Sequence, residues 1–199
     1  MSCTLDSMSD QHIYILLYKP FDYLSQFTPE SPDDKCLADI PGIPPKVYPV
    51  GRLDKDSEGL ILLTNDSNHK TQIQSPKAKQ YKTYILAVEG EPNMEAIQQL
   101  ESGITIRVNK KDHKCAPAKI KLLNTVPDIV HYPGKPIRYR KSIPVSYMEV
   151  SISEGKNRQV RRMLAKVGHP VLRLIRTKIG NYTIDQLQPG EWCYVNKSI

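Results

Sequence analysis

Apolar residues fall along this chain in short runs parted by polar, proline-rich stretches, and most runs have the length and period of strands. Ile13–Tyr18 is a continuous apolar run stopped by Lys19-Pro20, and Leu60–Thr64 is another, so both are expected as buried strands. Tyr81–Glu89 and Val145–Ser153 alternate and are rich in β-formers. Shorter strands are expected at Ile104–Val108, Ala118–Leu123, Val171–Ile175 and Trp192–Val195. Helical spacing is rarer. Pro92–Leu100 places Met94, Ile97 and Leu100 on one face and ends at Ser102-Gly103. Asn157–Val167 turns Val160, Met163, Leu164 and Val167 inward, with Gly168 as its stop. Residues 66–78 carry a weak helical signal, and one short helix is expected near Cys36–Ile40. Strands outnumber helices without strict βαβ alternation, which predicts an α+β fold with a mixed or antiparallel sheet. Residues 1–11 are polar and expected to be disordered. Nothing cleanly divides residues 12–199, which are expected to form one domain.

Composition changes this picture little, but charge changes it a good deal. The chain has 199 residues and no apolar run long enough for a membrane span or a signal-peptide core. Its four cysteines, Cys3, Cys36, Cys115 and Cys193, form no CxxC pair, and its histidines lie at no metal-ligand spacing. A reducing, cytoplasmic setting is therefore expected. The net charge is +7, unevenly spread. Residues 107–178 hold eighteen Lys/Arg against four acids, an excess of +14, while the remainder carries −7. Such a basic stretch is the footprint of a polyanion such as nucleic acid. Within it the Pro-rich stretch 126–144, with Arg138, Arg140 and Lys141, reads as an exposed loop suited to a phosphate backbone.

Two stretches carry candidate chemistry. Gly51-Arg52-Leu53-Asp54-Lys55-Asp56-Ser57-Glu58-Gly59 packs three acids and an arginine between glycines, directly before an apolar strand. Charges beside a core must be paired or hydrogen-bonded, so this knot is a functional-site candidate. Residues two apart in an extended turn point the same way, which would let Asp54, Asp56 and Glu58 crowd one site. Asp54 is the favoured reactive acid, while Asp56 and Ser57 read as caps closing a turn. In the second stretch, Glu154-Gly155-Lys156-Asn157-Arg158-Gln159-Val160-Arg161-Arg162-Met163, a basic turn opens a helix, an arrangement suited to an anion. Tyr84, within Lys82-Thr83-Tyr84, would by itself read as core packing.

Together, G-R-L-D-x-D-S-E-G-L-x-L-L-T-N, the K-x-Y strand and E-G-x-x-x-Q-V-R-R-M resemble the RsuA-type pseudouridine synthase family. Within it the chain is most similar to members that modify large-subunit (23S) ribosomal RNA. Further likeness lies in Tyr18-Lys19-Pro20, Gln26-Phe27-Thr28, Arg140–Pro144, Leu172–Arg176 and Gly190-Glu191-Trp192, so it covers roughly 13–196. The resemblance implies a mixed, mostly antiparallel sheet flanked by a few helices, with residues 12–199 as the catalytic domain. It leaves no room before Ile13 for the S4-type RNA-binding domain of many relatives. It implies Asp54 as nucleophile and Arg161 as its ion-pair partner. Tyr84 would stack on the target uracil, and Arg52 would assist base flipping. Lys156, Asn157, Arg158 and Arg162 would touch RNA. No cofactor, metal or membrane is implied. The expected partner is 23S rRNA or a large-subunit assembly intermediate, met by a monomer, with a target in domain V. Ser57 departs from a family threonine, and Asp66-Ser67 and the polar residues 67–75 depart from the family's more apolar helix. Two rival readings remain open on residues alone: a non-catalytic RNA-binding protein, and a hydrolase using Asp54 and Glu58 as a carboxylate pair.

Overall fold

The computed structural model describes residues 12–75 and 78–198. The expectation of disorder at residues 1–11 lies outside them. The main strands are β1 (Tyr14–Lys19), β2 (Glu58–Thr64), β3 (Lys82–Glu89), β4 (Lys119–Leu123), β5 (Val145–Ile152), β6 (Val171–Ile179) and β7 (Trp192–Tyr194). They form one sheet in the order β7–β1–β2–β6–β3–β5–β4, extended by short pairings of Tyr48–Pro49 with β2 and Tyr182–Thr183 with β6. Neighbouring strands in this path are antiparallel except β2 and β6, which run parallel where Ile175 and Arg176 face Glu58 and Gly59. The α+β class is as the sequence pattern implied, and the mixed, mostly antiparallel sheet is as the family resemblance implied.

The two continuous apolar runs have a simple cause: β1 and β2 are covered on both faces. Tyr14, Leu16, Tyr18, Leu60 and Leu62 pack into one core with Ile73, Ile175 and Tyr182. Ile15, Leu17, Ile61 and Leu63 pack into another with Leu37 and Ile40. A third core lies where α2 (Met94–Glu101) and α3 (Gln159–Lys166) cover β3 and β5, through Leu86, Met148, Leu100, Val160 and Met163. Residues 67–74 do form a helix, α1, despite their polarity. Asp66 caps it by accepting from the His69 backbone N–H at 2.9 Å, and only its His69 and Ile73 side is buried.

β6 runs four residues beyond its expected end, because Arg176 and Lys178 continue the ladder. A hairpin of Thr105–Val108 with Lys111–Lys114 also exceeds the expected strand, its second arm being polar throughout. It turns at Asn109 and Lys110, both with positive φ, without the glycine that usually signals such a turn. Gly59 is essential at the parallel junction. Its φ is +101°, and a Cβ there would run into the Arg176 backbone. That close approach sets the acidic turn against β6.

Candidate active site

The turn 51–57 is pinned from below. Leu53 is buried, and Ser25 Oγ both donates to its carbonyl at 2.7 Å and accepts from its N–H at 3.0 Å. Ser57 N–H closes the turn onto the Asp54 carbonyl at 3.0 Å. Lys19 lies fully buried beneath, its Nζ donating to the carbonyls of Pro20 and Tyr23 at 2.9 and 2.6 Å, with Lys55 O farther off at 3.4 Å. Burial pushes the Lys19 amine down to about 7 against the pull of Glu58 and Asp56. With its backbone fixed, the turn presents Asp54 to a cleft of about 820 Å³ that also receives Arg52, Tyr84, Arg158, Arg161 and Arg176. The Asp54 side chain is 34% exposed, so an incoming group can reach it.

The expected Asp54–Arg161 ion pair is not the one formed. Arg158 approaches Asp54 at 3.5 Å while gripping Asp56 with two bonds of 2.8 and 2.9 Å. Arg161 instead donates to the Asp56 carbonyl at 2.8 Å, Ser57 Oγ at 3.3 Å and Val171 O at 3.2 Å, and meets the Asp56 carboxylate at 3.4 Å. The reason is position on α3. Arg158 is its left-handed N-cap residue, at the cleft edge, whereas Arg161 is one turn in and buried against β6. Asp56 is thus an ion-pair hub rather than a turn cap, and the Arg158 guanidinium holds its carboxyl below the usual carboxylate range. Both arginines still belong to the Asp54 neighbourhood.

Nor do three acids crowd one site. Glu58 is fully buried and forms a two-pronged pair with Arg173, at 2.9 and 2.7 Å. The register explains it: Glu58 is the first residue of β2, beside Ile175 of β6. This removes it as the second carboxylate of a hydrolase, which would need access to water. The pair serves as an anchor instead. Arg173 donates to Val130 O at 2.8 Å and Tyr132 O at 3.1 Å, and Glu58 accepts from the Lys135 N–H at 3.1 Å. Gly134 lies directly on the pair, and a Cβ there would collide with Glu58 Oε2 and Arg173 Nη2. The long basic loop is therefore clamped to the acidic motif.

Of the residues expected to meet RNA, Lys156, Asn157 and Arg158 line the cleft. Arg162 faces away, tied to Asn157 O at 3.1 Å and to Arg107 O of the hairpin at 2.9 Å. The turn before α3 is braced by Gln159, which accepts from Lys156 N–H at 2.9 Å and donates to Glu154 at 2.6 Å. Arg138, Arg140 and Lys141 are exposed on the clamped loop, with Arg140 3.6 Å from Glu89. Arg52 is exposed at the cleft rim, donating to Gln26 Oε1 at 2.9 Å. Tyr84 is nearly buried in β3, across from Arg176 in the register.

His113, Cys115 and Glu154 bring potential metal-ligand atoms within 4.8 Å of one another. Glu154 is already taken by His113 Nε2 at 3.0 Å, Ala116 N–H at 3.0 Å and Gln159, while burial pushes the Cys115 thiol up to about 11. A protonated thiol is a poor ligand, so the cluster reads as a brace beneath the α3 turn. Residue-type reasoning missed Lys19, Ser25, Arg173 and Arg176. The legible signal was two arginines inside the otherwise apolar Val171–Ile175 strand and its continuation.

A family model for RNA pseudouridylate synthase matches residues 13–166. Ribosomal large subunit pseudouridine synthase E of Xanthomonas campestris is 45% identical over 89% of this chain and 92% of that protein. Its namesake in Vibrio vulnificus is 43% identical over 94% of this chain and 76% of that protein. Ribosomal large subunit pseudouridine synthase B of Bacillus subtilis is 36% identical over 92% and 67%. Among solved structures, a pseudouridylate synthase crystal structure superposes with a TM-score of 0.75 at 27% identity, covering 96% of this chain and 73% of that one.

Proposed function

The chain belongs to the RNA pseudouridylate synthase family, isomerases acting on RNA, and we propose that it converts one uridine of 23S ribosomal RNA, in domain V, to pseudouridine. The observation that carries this reading is Asp54, one-third exposed in a cleft floored by Tyr84 and edged by Arg52, Lys156 and Arg158. The 43–45% identity to large-subunit synthases over most of the chain supports the choice of RNA.

A uridine stacked in a helix hides its glycosidic bond, so the nucleotide is turned out into the cleft. Arg52 at the rim assists that displacement, and Lys156, Asn157 and Arg158 hold the flanking backbone. Tyr84 supports the freed base by stacking, worth about 1–3 kcal/mol for an aromatic–base contact. Asp54 attacks ribose C1′ or uracil C6, and the C1′–N1 bond breaks. The uracil rotates, C5 bonds to C1′, and the C5 proton leaves. Arg158 sets a positive charge 3.5 Å from the Asp54 carboxylate, whereas Arg161 acts through the backbone of the turn. Such a reaction needs no metal or cofactor, and its setting is the cytoplasm, on rRNA or a large-subunit assembly particle, with the protein as a monomer. The clamped loop 126–144 bears on target choice. Mapping pseudouridines in rRNA from cells with and without this protein tests the reading. Loss of one domain V site is expected. An unchanged map with a changed modification elsewhere would replace it.

A further inference from the structure

Resting on that reading, we propose that Arg176 contacts the flipped uracil and neutralises the negative charge the base acquires when its glycosidic bond breaks. Arg176 lies on β6, only 3% exposed, yet its side chain lines the cleft beside Tyr84. Its Nε donates to Leu60 O at 2.8 Å, fixing one edge of the guanidinium to β2. Its Nη2 has no hydrogen-bond partner, and among the described residues no carboxylate lies within ion-pair distance of it. The Tyr84 hydroxyl adjoins the guanidinium without satisfying Nη2, and Lys82 adds a second partly buried cation on the same wall. The other buried arginine of β6, Arg173, is fully paired with Glu58. An unpaired buried cation with a free donor is costly, and its cost is offset when an anion forms against it.

The reaction supplies one. On the C1′ route, Asp54 bonds to C1′, and the electron pair of the C1′–N1 bond passes to the uracil, spread over N1, O2 and O4. Arg176 donates from Nη2 to a carbonyl of this anion and holds it through rotation. C5 then bonds to C1′ with release of the Asp54 carboxylate, C5 loses its proton, and N1 regains one. A donor already in place where charge develops accelerates such a step by about 10²–10³-fold.

The test compares wild type, Arg176→Met and Arg176→Lys in single-turnover reactions on an RNA carrying the target uridine or 5-fluorouridine at that position. Loss of the starting nucleoside is followed, with RNA affinity and the near-ultraviolet circular dichroism as checks on fold. Arg176→Met should slow uridine by about 10²–10³-fold with affinity changed less than severalfold, and Arg176→Lys should recover at least about tenfold of that loss. Fluorine makes the departing base a weaker base, so the Arg176→Met deficit should shrink by at least about tenfold for 5-fluorouridine. A near-wild-type rate for Arg176→Met, an equal deficit on both substrates, or no recovery with Arg176→Lys would overturn the assignment. A wild-type protein inactive on uridine would instead overturn the proposed function.

Discussion

Two arginines three residues apart near Asp54 predict different consequences for stability when each is removed. Arg158 is 40% exposed and pairs with both Asp54 and Asp56. Its replacement by Ala should lower turnover while leaving the melting temperature almost unchanged, since exposed pairs contribute little to stability. Arg161 is 10% exposed and holds the Asp56 and Val171 carbonyls. Arg161→Ala should therefore lower turnover strongly and also cost on the order of 2–3 kcal/mol of folding free energy, the scale of hydrogen bonds to a buried charge. Urea unfolding of the two variants separates these outcomes. Equal stability losses would contradict the distinction. The family resemblance implies Arg161 as the partner of Asp54, whereas Arg158 is the arginine at 3.5 Å from its carboxylate and Arg161 meets Asp56. Spacing in Asn157–Arg162 puts both arginines near a helix start and both line the cleft, and the left-handed backbone at Arg158 accompanies its approach to the Asp54 carboxylate.

At the scale of elements, the buried Glu58–Arg173 pair joins β2, β6 and the loop 126–144. Arg173→Met leaves Glu58 as an unpaired buried charge and should cost about 3–5 kcal/mol. The double variant Glu58→Leu/Arg173→Met should recover most of that stability without restoring the loop anchor. A double-mutant cycle read by chemical unfolding checks the first part. Gly134→Ala should release the loop by collision with the pair, read as faster proteolysis within 126–144. The strands themselves were legible because β1 and β2, covered on both faces, are unbroken apolar runs, β3 is a run of β-formers buried from Tyr84 to Val88, and the second half of β5 alternates. The clamp was not. It depends on Glu58 and Arg173, 115 residues apart, meeting across a parallel junction that no local pattern announces. The Thr105–Lys114 hairpin was half missed for a related reason: Lys111–Lys114 carries no apolar signal and pairs through its backbone.

At the scale of the whole molecule, the basic excess lies within residues 107–178, while the remainder is net acidic. Binding of rRNA should weaken steeply with salt, and replacing Arg138, Arg140 and Lys141 together by Ala should reduce the slope by about 0.7 for each phosphate no longer neutralised. An unchanged slope would remove the loop from the RNA interface. Stability should fall on acidification. Asp66 accepts from Tyr14 at 2.6 Å, His69 N–H and Lys197, which hold its carboxyl far below the usual range. Burial also holds His69 below its ordinary value. Both groups have folded values below their unfolded ones. Their contribution is whole above those unfolded values, begins to fade below about 6.5 as His69 becomes protonated in the unfolded chain, and is lost as pH falls further. Asp66→Asn should flatten the acid limb of a melting-temperature profile, and an unchanged limb would place the acid sensitivity elsewhere. The most direct measurement of the central claim uses Asp54→Asn with RNA containing the target site, scored by nucleoside mass spectrometry for pseudouridine alongside a binding isotherm. No pseudouridine at that site, with affinity within severalfold of wild type, is the predicted result. Pseudouridine formed at a rate near that of the wild type would contradict the role of Asp54 as nucleophile.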